Sequence, residues 1–457
     1  MQDLSFSSAA TKKSGPTSAS TNKQTIKLGV ILCTLLFSTH FSSAQTTFYG
    51  TMLDNQGVFM GGMGLAAIGG ETFYTINLRP EIAVGKFGFG LDIPLRYNTQ
   101  TGQIRSEDWD DTYDYFRTIR YMRYGRKQRD KFYTRVGALD ATRLGHGFIM
   151  NYYNNSLLYD ERKIGLELDT DFGFGGFELM TSNFERREVF GGRLYYRPLQ
   201  LVTNTPIIKN FAIGATYILD DDPDGYRNTG DSVSEFGLDA ELPIIQTELT
   251  RLALYGDFAK INDFGSGQAA GVDFKVHGIG NAFEFGAQLE RRFLGKQFLP
   301  AYFGPFYELE RNNVQNGVTT AKKTLLAAQT KETRGTFGML YGQVLNTLRL
   351  VGTYERRDGI PKSGILHVEA ILPETVPKVA FRAMYDDKNI DTFSDVFEMD
   401  ENSAARIGLG YKLNPFLVLY MDYIYTFRFD ANKNSYVVQK RFEPQLALAV
   451  TFPVGGN

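Results

Sequence analysis

The sequence predicts an all-β chain: a single transmembrane antiparallel β-barrel of about 18–20 strands, with short turns at one end and long loops at the other. Three observations carry that reading. Stretches of strict period-two alternation recur, with an apolar face opposite a face of glycine and charge. The apolar faces often begin or end on one of the 36 Phe or 26 Tyr, as interfacial girdles require. Connections alternate between short and long, the habit of a barrel rather than of packed soluble sheets.

The N-terminus comes first. Lys12, Lys13, Lys23 and Lys27 form a basic region, Leu28–Phe37 an apolar core, and Ser42-Ser43-Ala44 a small-residue cleavage site. Residues 1–44 therefore read as a secretory signal peptide, too short to span a membrane. The single cysteine, Cys33, lies inside it, so the exported chain has no disulfide framework. A lipoprotein signal wants a small residue where Leu32 stands. No later stretch offers about 18 consecutive apolar residues, so any crossing must be made by strands. A formal net charge of −2 and the lack of a recognisable motif argue against a nucleic-acid partner.

Residues 45–70 form an N-terminal segment. Thr47–Leu53 is a candidate first strand, and Gly57–Gly70 reads as a flexible connection or a loose strand. Residues 71–457 hold the barrel. Lys86–Asn98 alternates most cleanly: Phe87, Phe89, Leu91, Ile93, Leu95 and Tyr97 oppose Gly88, Gly90, Asp92, Pro94, Arg96 and Asn98. Phe236 and Leu238 oppose Glu235, Gly237, Asp239 and Glu241 in the same way. At the C-terminus Phe442, Pro444, Leu446, Leu448, Val450 and Phe452 oppose Glu443, Gln445, Ala447, Ala449 and Thr451. Soluble β-sandwiches also alternate, but a second face of glycine mixed with charge suits a wet lumen better.

Short turns are expected at Gly125–Asp130, Gly173–Gly176, Gly278–Asn281, Leu345–Thr347 and Leu413–Pro415. Long loops are expected at Thr99–Asp114, Ala141–Lys163, Asp220–Asp231, Asp387–Asn402 and Asp430–Lys440. About nineteen strand-like segments follow Glu71. An even count then needs either Thr47–Leu53 as first strand or one segment fewer. Arg291–Lys331 reads as a long external loop, free to fold inward or to stay above the barrel, with a strand-like Tyr302–Leu309 and a helix-like Ala321–Gln329.

Two constellations stand out. Tyr115–Arg143 is dense in base, with Arg117, Arg123, Arg135 and Arg143 among its cations. Arg117 and Arg123 share one strand parity and Arg120 has the other, so strict alternation fails there. An arginine on the lipid face near the midplane costs roughly 2–4 kcal/mol, so most of these should face the lumen. There they form an electropositive wall or are neutralised by Glu167, Asp169 and Asp171. Second, Leu144–Asp160 places His146 between two glycines and brings Tyr152 and Tyr153 among asparagines. Its Phe148, Ile149 and Met150 are too apolar for a solvated loop, which suggests packing, either inside the barrel as a constriction or as an external cap on its neighbours. The acidic runs at 220–225 and 386–400 lack full EF-hand spacing; they read as solvated surface charge, with binding of calcium or of cations that bridge lipopolysaccharide as the alternative. There is no HExxH, GxSxG or Walker A motif.

On its signal, alternation, aromatic ends, loop asymmetry and last strand Phe442–Phe452, the chain resembles the outer-membrane porin-like β-barrels of Gram-negative bacteria. The resemblance is to the class and covers the whole exported chain. It implies periplasmic turns, external loops and residence in the cell outer membrane. It implies a non-enzymatic channel for passive diffusion of small hydrophilic solutes, with a charged lumen and an inward loop. Membrane lipid and such solutes are the expected partners, an oligomer is compatible, and no cofactor or metal is expected. The alternative is a closed barrel serving as scaffold or receptor in a surface or secretion complex. One departure is plain: such barrels commonly end on the aromatic residue, whereas Phe452 is followed by Pro453–Asn457.

Overall fold

The computed structural model describes residues 56–453 except 69, 126, 128–129, 159–161, 206, 225–229, 248, 278–282, 316–317, 345–347, 373–377 and 431–434. The signal and Thr47–Leu53 lie outside the described residues. The strands of the main sheet pair antiparallel in chain order, with Phe87–Leu91 and Ile93–Asn98 together taking one strand's place, and Gln56–Ile68 pairs with both Glu71–Val84 and the last strand, Ser435–Pro453. The sheet closes as a 20-strand barrel.

The count matches the upper expectation, but the strand that closes the barrel is Gln56–Ile68, within the stretch read as a flexible connection or a loose strand; the second alternative holds. Glycine and methionine weaken its strand signal, yet the glycines are what seat it. A Cβ on Gly64 would lie 1.9 Å from the Pro444 carbonyl oxygen. The ladder to the last strand skips Leu65 and Ala66, beside Pro444, which has no amide proton to donate.

The predicted strand Lys86–Asn98 breaks at Asp92 into Phe87–Leu91 and Ile93–Asn98, and both halves pair with Glu71–Val84. Opposite the break the register slips: Gly90 faces Tyr121 and Leu91 faces Ile119. Arg120 is the extra residue of this β-bulge. The bulge turns its side chain inward, 3.9 Å from Glu81, which explains why alternation fails in the sequence.

Elsewhere the two faces separate as expected. Leu238 is 55% exposed while Asp239 is 8%, and Leu446 is 46% exposed while Gln445 is 4%. Outward leucines and aromatics form the apolar belt and inward polar groups the lumen. This is the architecture of an outer-membrane protein.

The anticipated short turns Gly173–Gly176 and Leu413–Pro415 share one end with both ends of the described chain; Gly278–Asn281 and Leu345–Thr347 lie outside the described residues, and Gly125–Asp130 is described only in part. One longer connection joins them there, 197–211, with 3-10 turns at Pro198–Leu201 and Ile208–Asn210. At the other end, the expected loop Asp430–Lys440 is mostly strand: Leu417–Asp430 and Ser435–Pro453 pair down to Asp430 and Ser435. Tyr302–Leu309 is not a strand either. It contains the helical turn Tyr307–Glu310, whereas Lys322–Ala328 is helical as expected. Arg291–Leu294 belongs to the strand Phe283–Leu294, so the long loop starts at 295.

Candidate functional site

The site is built by the connection 138–164, which crosses the barrel interior. It leaves the strand Phe132–Gly137, runs out to a bend at 145–147 and returns against itself. Thr142 and Tyr153 exchange backbone hydrogen bonds of 2.9 and 3.0 Å, and the Asn155 side chain accepts from the Leu139 amide at 2.8 Å. Gly145 and Gly147 adopt φ of 54° and 87°, the left-handed region that favours glycine.

The tip meets the far wall. His146 Nδ1 is 3.2 Å from Asp257 and Nε2 3.4 Å from Glu241, and its ring stacks on Tyr255 at 4.0 Å. Burial disfavours the imidazolium, but Asp257 and Glu241 outweigh it and raise the pKa to about 10. Arg143 donates to Gln288 Oε1 at 2.6 Å and to the His146 carbonyl. Tyr152, at φ 52°, stacks on His367 at 4.0 Å. Further along, the Ser156 carbonyl accepts from Arg406 at 3.0 Å. The connection thus touches walls far apart around the barrel.

A second segment, 295–332, packs on the first. Ala301 N donates to Phe148 O at 2.7 Å, and Phe303 is bridged to Met150. Phe148, Ile149, Met150, Tyr153, Phe298, Tyr302, Phe303 and Tyr307 share one buried apolar cluster. The polar ties are ionic. Tyr153 donates to Glu308, and Lys163 pairs with Glu308 at 2.5 Å. Glu310 takes Lys322 and Lys388, each at 2.7 Å. Burial opposes ionisation of Glu308 and Glu310, but these cations hold both carboxyls down at about 2.

The remaining named residues do not converge on one wall. Arg117 ends the helix Thr112–Arg117 in the preceding loop and pairs with Asp114. Arg123 faces inward and donates to the Gly125 carbonyl at 3.0 Å. Arg135 sits opposite both Arg123 and Glu167 in register, and pairs with Asp140 at 3.1 Å. Glu167 and Asp169 take Lys127, at 2.8 and 3.7 Å. Asp171 lies toward the short-turn end, paired with Arg197 at 2.9 Å. Sequence reasoning missed Arg193, which pairs with Asp239 at 2.6 Å and Glu178 at 3.2 Å. It also missed Arg292, held by Glu290 at 2.8 Å and Glu355 at 2.5 Å. Both carry inward parity in their strands, which was the available signal.

No protein-family model matches this sequence, and no curated protein matches it. Among solved structures the chain is similar to the outer membrane protein OpdK of Pseudomonas aeruginosa. The identity is 10% and the TM-score 0.31, over 87% of this chain and 99% of that one. It is also similar to OccK11 (OpdR) of the same organism, at 11% identity and TM-score 0.29, over 88% and 96%. A third is OccK2 (OpdF) of that organism in complex with glucuronate, at 9% identity and TM-score 0.30, over 88% and 96%. Scores this low carry no argument; the closed barrel stands on its own strand pairing.

Proposed function

We propose that the chain is an outer-membrane channel for passive diffusion of small hydrophilic solutes, and that 138–164 and 295–332 set its bore. The observation that carries this is the reach of His146 and Arg143 across the interior to Asp257, Glu241 and Gln288. A barrel of this size encloses an aqueous lumen unless something fills it. In this reading Arg143, His146 and Tyr152 form the narrowest part, and Tyr153 anchors the loop behind them. Arg123, Arg135, Glu167 and Asp169 line the path below, Asp171 its periplasmic mouth, and Arg117 the external vestibule. The charges are mostly paired, so the path sorts solutes by size and local charge order rather than by one net sign. No catalytic step is assigned to any residue. Residues 1–44 act as the export signal, and N-terminal sequencing of the exported protein should begin at Gln45.

The test is ion selectivity in planar bilayers. His146→Ala removes the cation beside Asp257 and leaves Glu241 with Arg251 alone, at 2.6 Å, so the reversal potential should shift toward cation preference. An unchanged reversal potential removes His146 from the path.

A second reading, a closed barrel serving as scaffold or receptor, is favoured by the apolar packing of Phe148, Phe298 and Phe303 between the two segments. A stable co-purifying partner together with a silent bilayer would select it.

A further inference from the structure

We propose that docking of the segment 295–332 inside the barrel takes up one proton at Glu235, which makes the contact between segment and wall a pH-sensitive latch. Glu235 is the third residue of the strand Val233–Gln246 and has inward parity. On the outer face at this level Asn262 donates to Ser234 Oγ at 2.6 Å, and one residue along the strand the rings of Phe236 and Phe258 stand 6.1 Å apart. A polar pair above an aromatic pair marks the external rim of the apolar belt, so Glu235 stands outside the membrane core.

What covers Glu235 is protein. It is 0% exposed, and neither carboxyl oxygen accepts a hydrogen bond. Its neighbours in register across the sheet are Ile218 and Ile261. Both belong, with Val233, Tyr302 and Leu326, to the apolar cluster that joins the segment to the wall. A carboxylate shut away from water with no donor is costly, and a proton removes most of that cost.

The charged neighbours do not supply a substitute for the proton. Lys322, whose charge reaches Glu235, donates to the Tyr302 carbonyl and pairs with Glu310, both at 2.7 Å. Tyr302 faces Glu235 with a phenol that burial keeps neutral. The strand Ala212–Asp220 brings Asp220, which takes Tyr307 at 2.7 Å and Arg311 at 3.1 Å. The strand Thr250–Ile261 brings Lys260, which shares the outward parity of Phe236, its partner in register.

When the segment lifts, Glu235 meets water and ionises near the ordinary glutamate value of about 4.3. The latch is fully set below that value, and its hold weakens about tenfold per pH unit as pH rises above it. Glu308 and Glu310 carry the reverse sign. Burial opposes their ionisation, but their cations hold them at about 2, so they act only in acid. On the channel reading, the bore is then tighter in acid and looser as pH rises.

The test follows hydrogen exchange of the full barrel, refolded in detergent, from about pH 6.5 to 8, with rates corrected for the intrinsic effect of pH. Conductance plays no part in the readout, so its outcome stands apart from that of the channel reading. Protection across 295–332 should fall about tenfold per pH unit in the natural chain. In Glu235→Gln, which keeps the shape without the titrating proton, protection should stay nearly level and at the alkaline end exceed the natural chain's about tenfold. The barrel strands should exchange alike in both proteins. If Glu235→Gln does not fold, Glu235→Leu replaces it with the same expectation. A level profile in the natural chain, the same slope in both proteins, or a segment less protected in Glu235→Gln at the alkaline end overturns the proposal.

Discussion

At His146 two carboxylates and an aromatic face outweigh the cost of burying an imidazolium. Its pKa in the folded chain, about 10, lies above the ordinary 6.5. The stabilisation this pairing gives is complete below the ordinary value and is lost as pH rises through about 10. Glu308 and Glu310 have the opposite sign. Held at about 2 against an ordinary 4.5, they stabilise the second segment above that ordinary value and lose it as pH falls toward 2. Hydrogen exchange should therefore speed up around 145–150 toward pH 10 and around 307–311 in acid, and His146→Gln should abolish only the alkaline effect. Equal pH dependence in both regions would contradict the assignment. Arg292 supplies a third prediction. It is 1% exposed between Glu290 and Glu355, so Arg292→Ala strands two carboxylates and should cost about 3–5 kcal/mol in urea unfolding. Its inward parity was legible in the sequence; its partner on another strand was not, because pairing across 63 residues depends on the register of the closed sheet.

At the scale of elements, the bend at 145–147 was legible because glycines mark positions that need positive φ. A Cβ on Gly147 would sit 2.7 Å from Asn151 Oδ1 and 2.8 Å from Arg143 Nε. Gly147→Val should therefore displace the tip, leave the barrel heat-modifiable and change the unitary current. A current identical to that of the natural chain would show that the tip does not bound the path. The first strand was only half legible, as a flexible connection or a loose strand. Its Gly62 and Gly64 weaken strand propensity and become meaningful only beside Gln445 and Pro444. The inward turn of Arg120 was equally hidden, since a bulge is a property of two strands and their slip, not of one. The second-segment helix Lys322–Ala328 was readable from its run of good helix formers, whereas Tyr302–Leu309 misled because aromatic alternation also suits a packed turn.

For the whole molecule, closure follows from alternation plus turn lengths, and those were written in the sequence from Lys86 to Phe452. Where the loops go was only half written. Apolar residues in 144–158 said that the connection must pack; they did not say on which wall. That answer came from polar and charged groups spread over the barrel, Asp257, Glu241, Gln288 and Arg406, and it decides whether the lumen is a path or a filled core. The most direct measurement is the unitary conductance of the purified barrel in planar bilayers, compared with a version in which 144–158 is replaced by a short Gly-Ser linker. Discrete steps from the natural chain, and markedly larger steps without the loop, are the predicted result. Silence from a folded, heat-modifiable natural barrel, or steps of equal size in both proteins, would contradict the account.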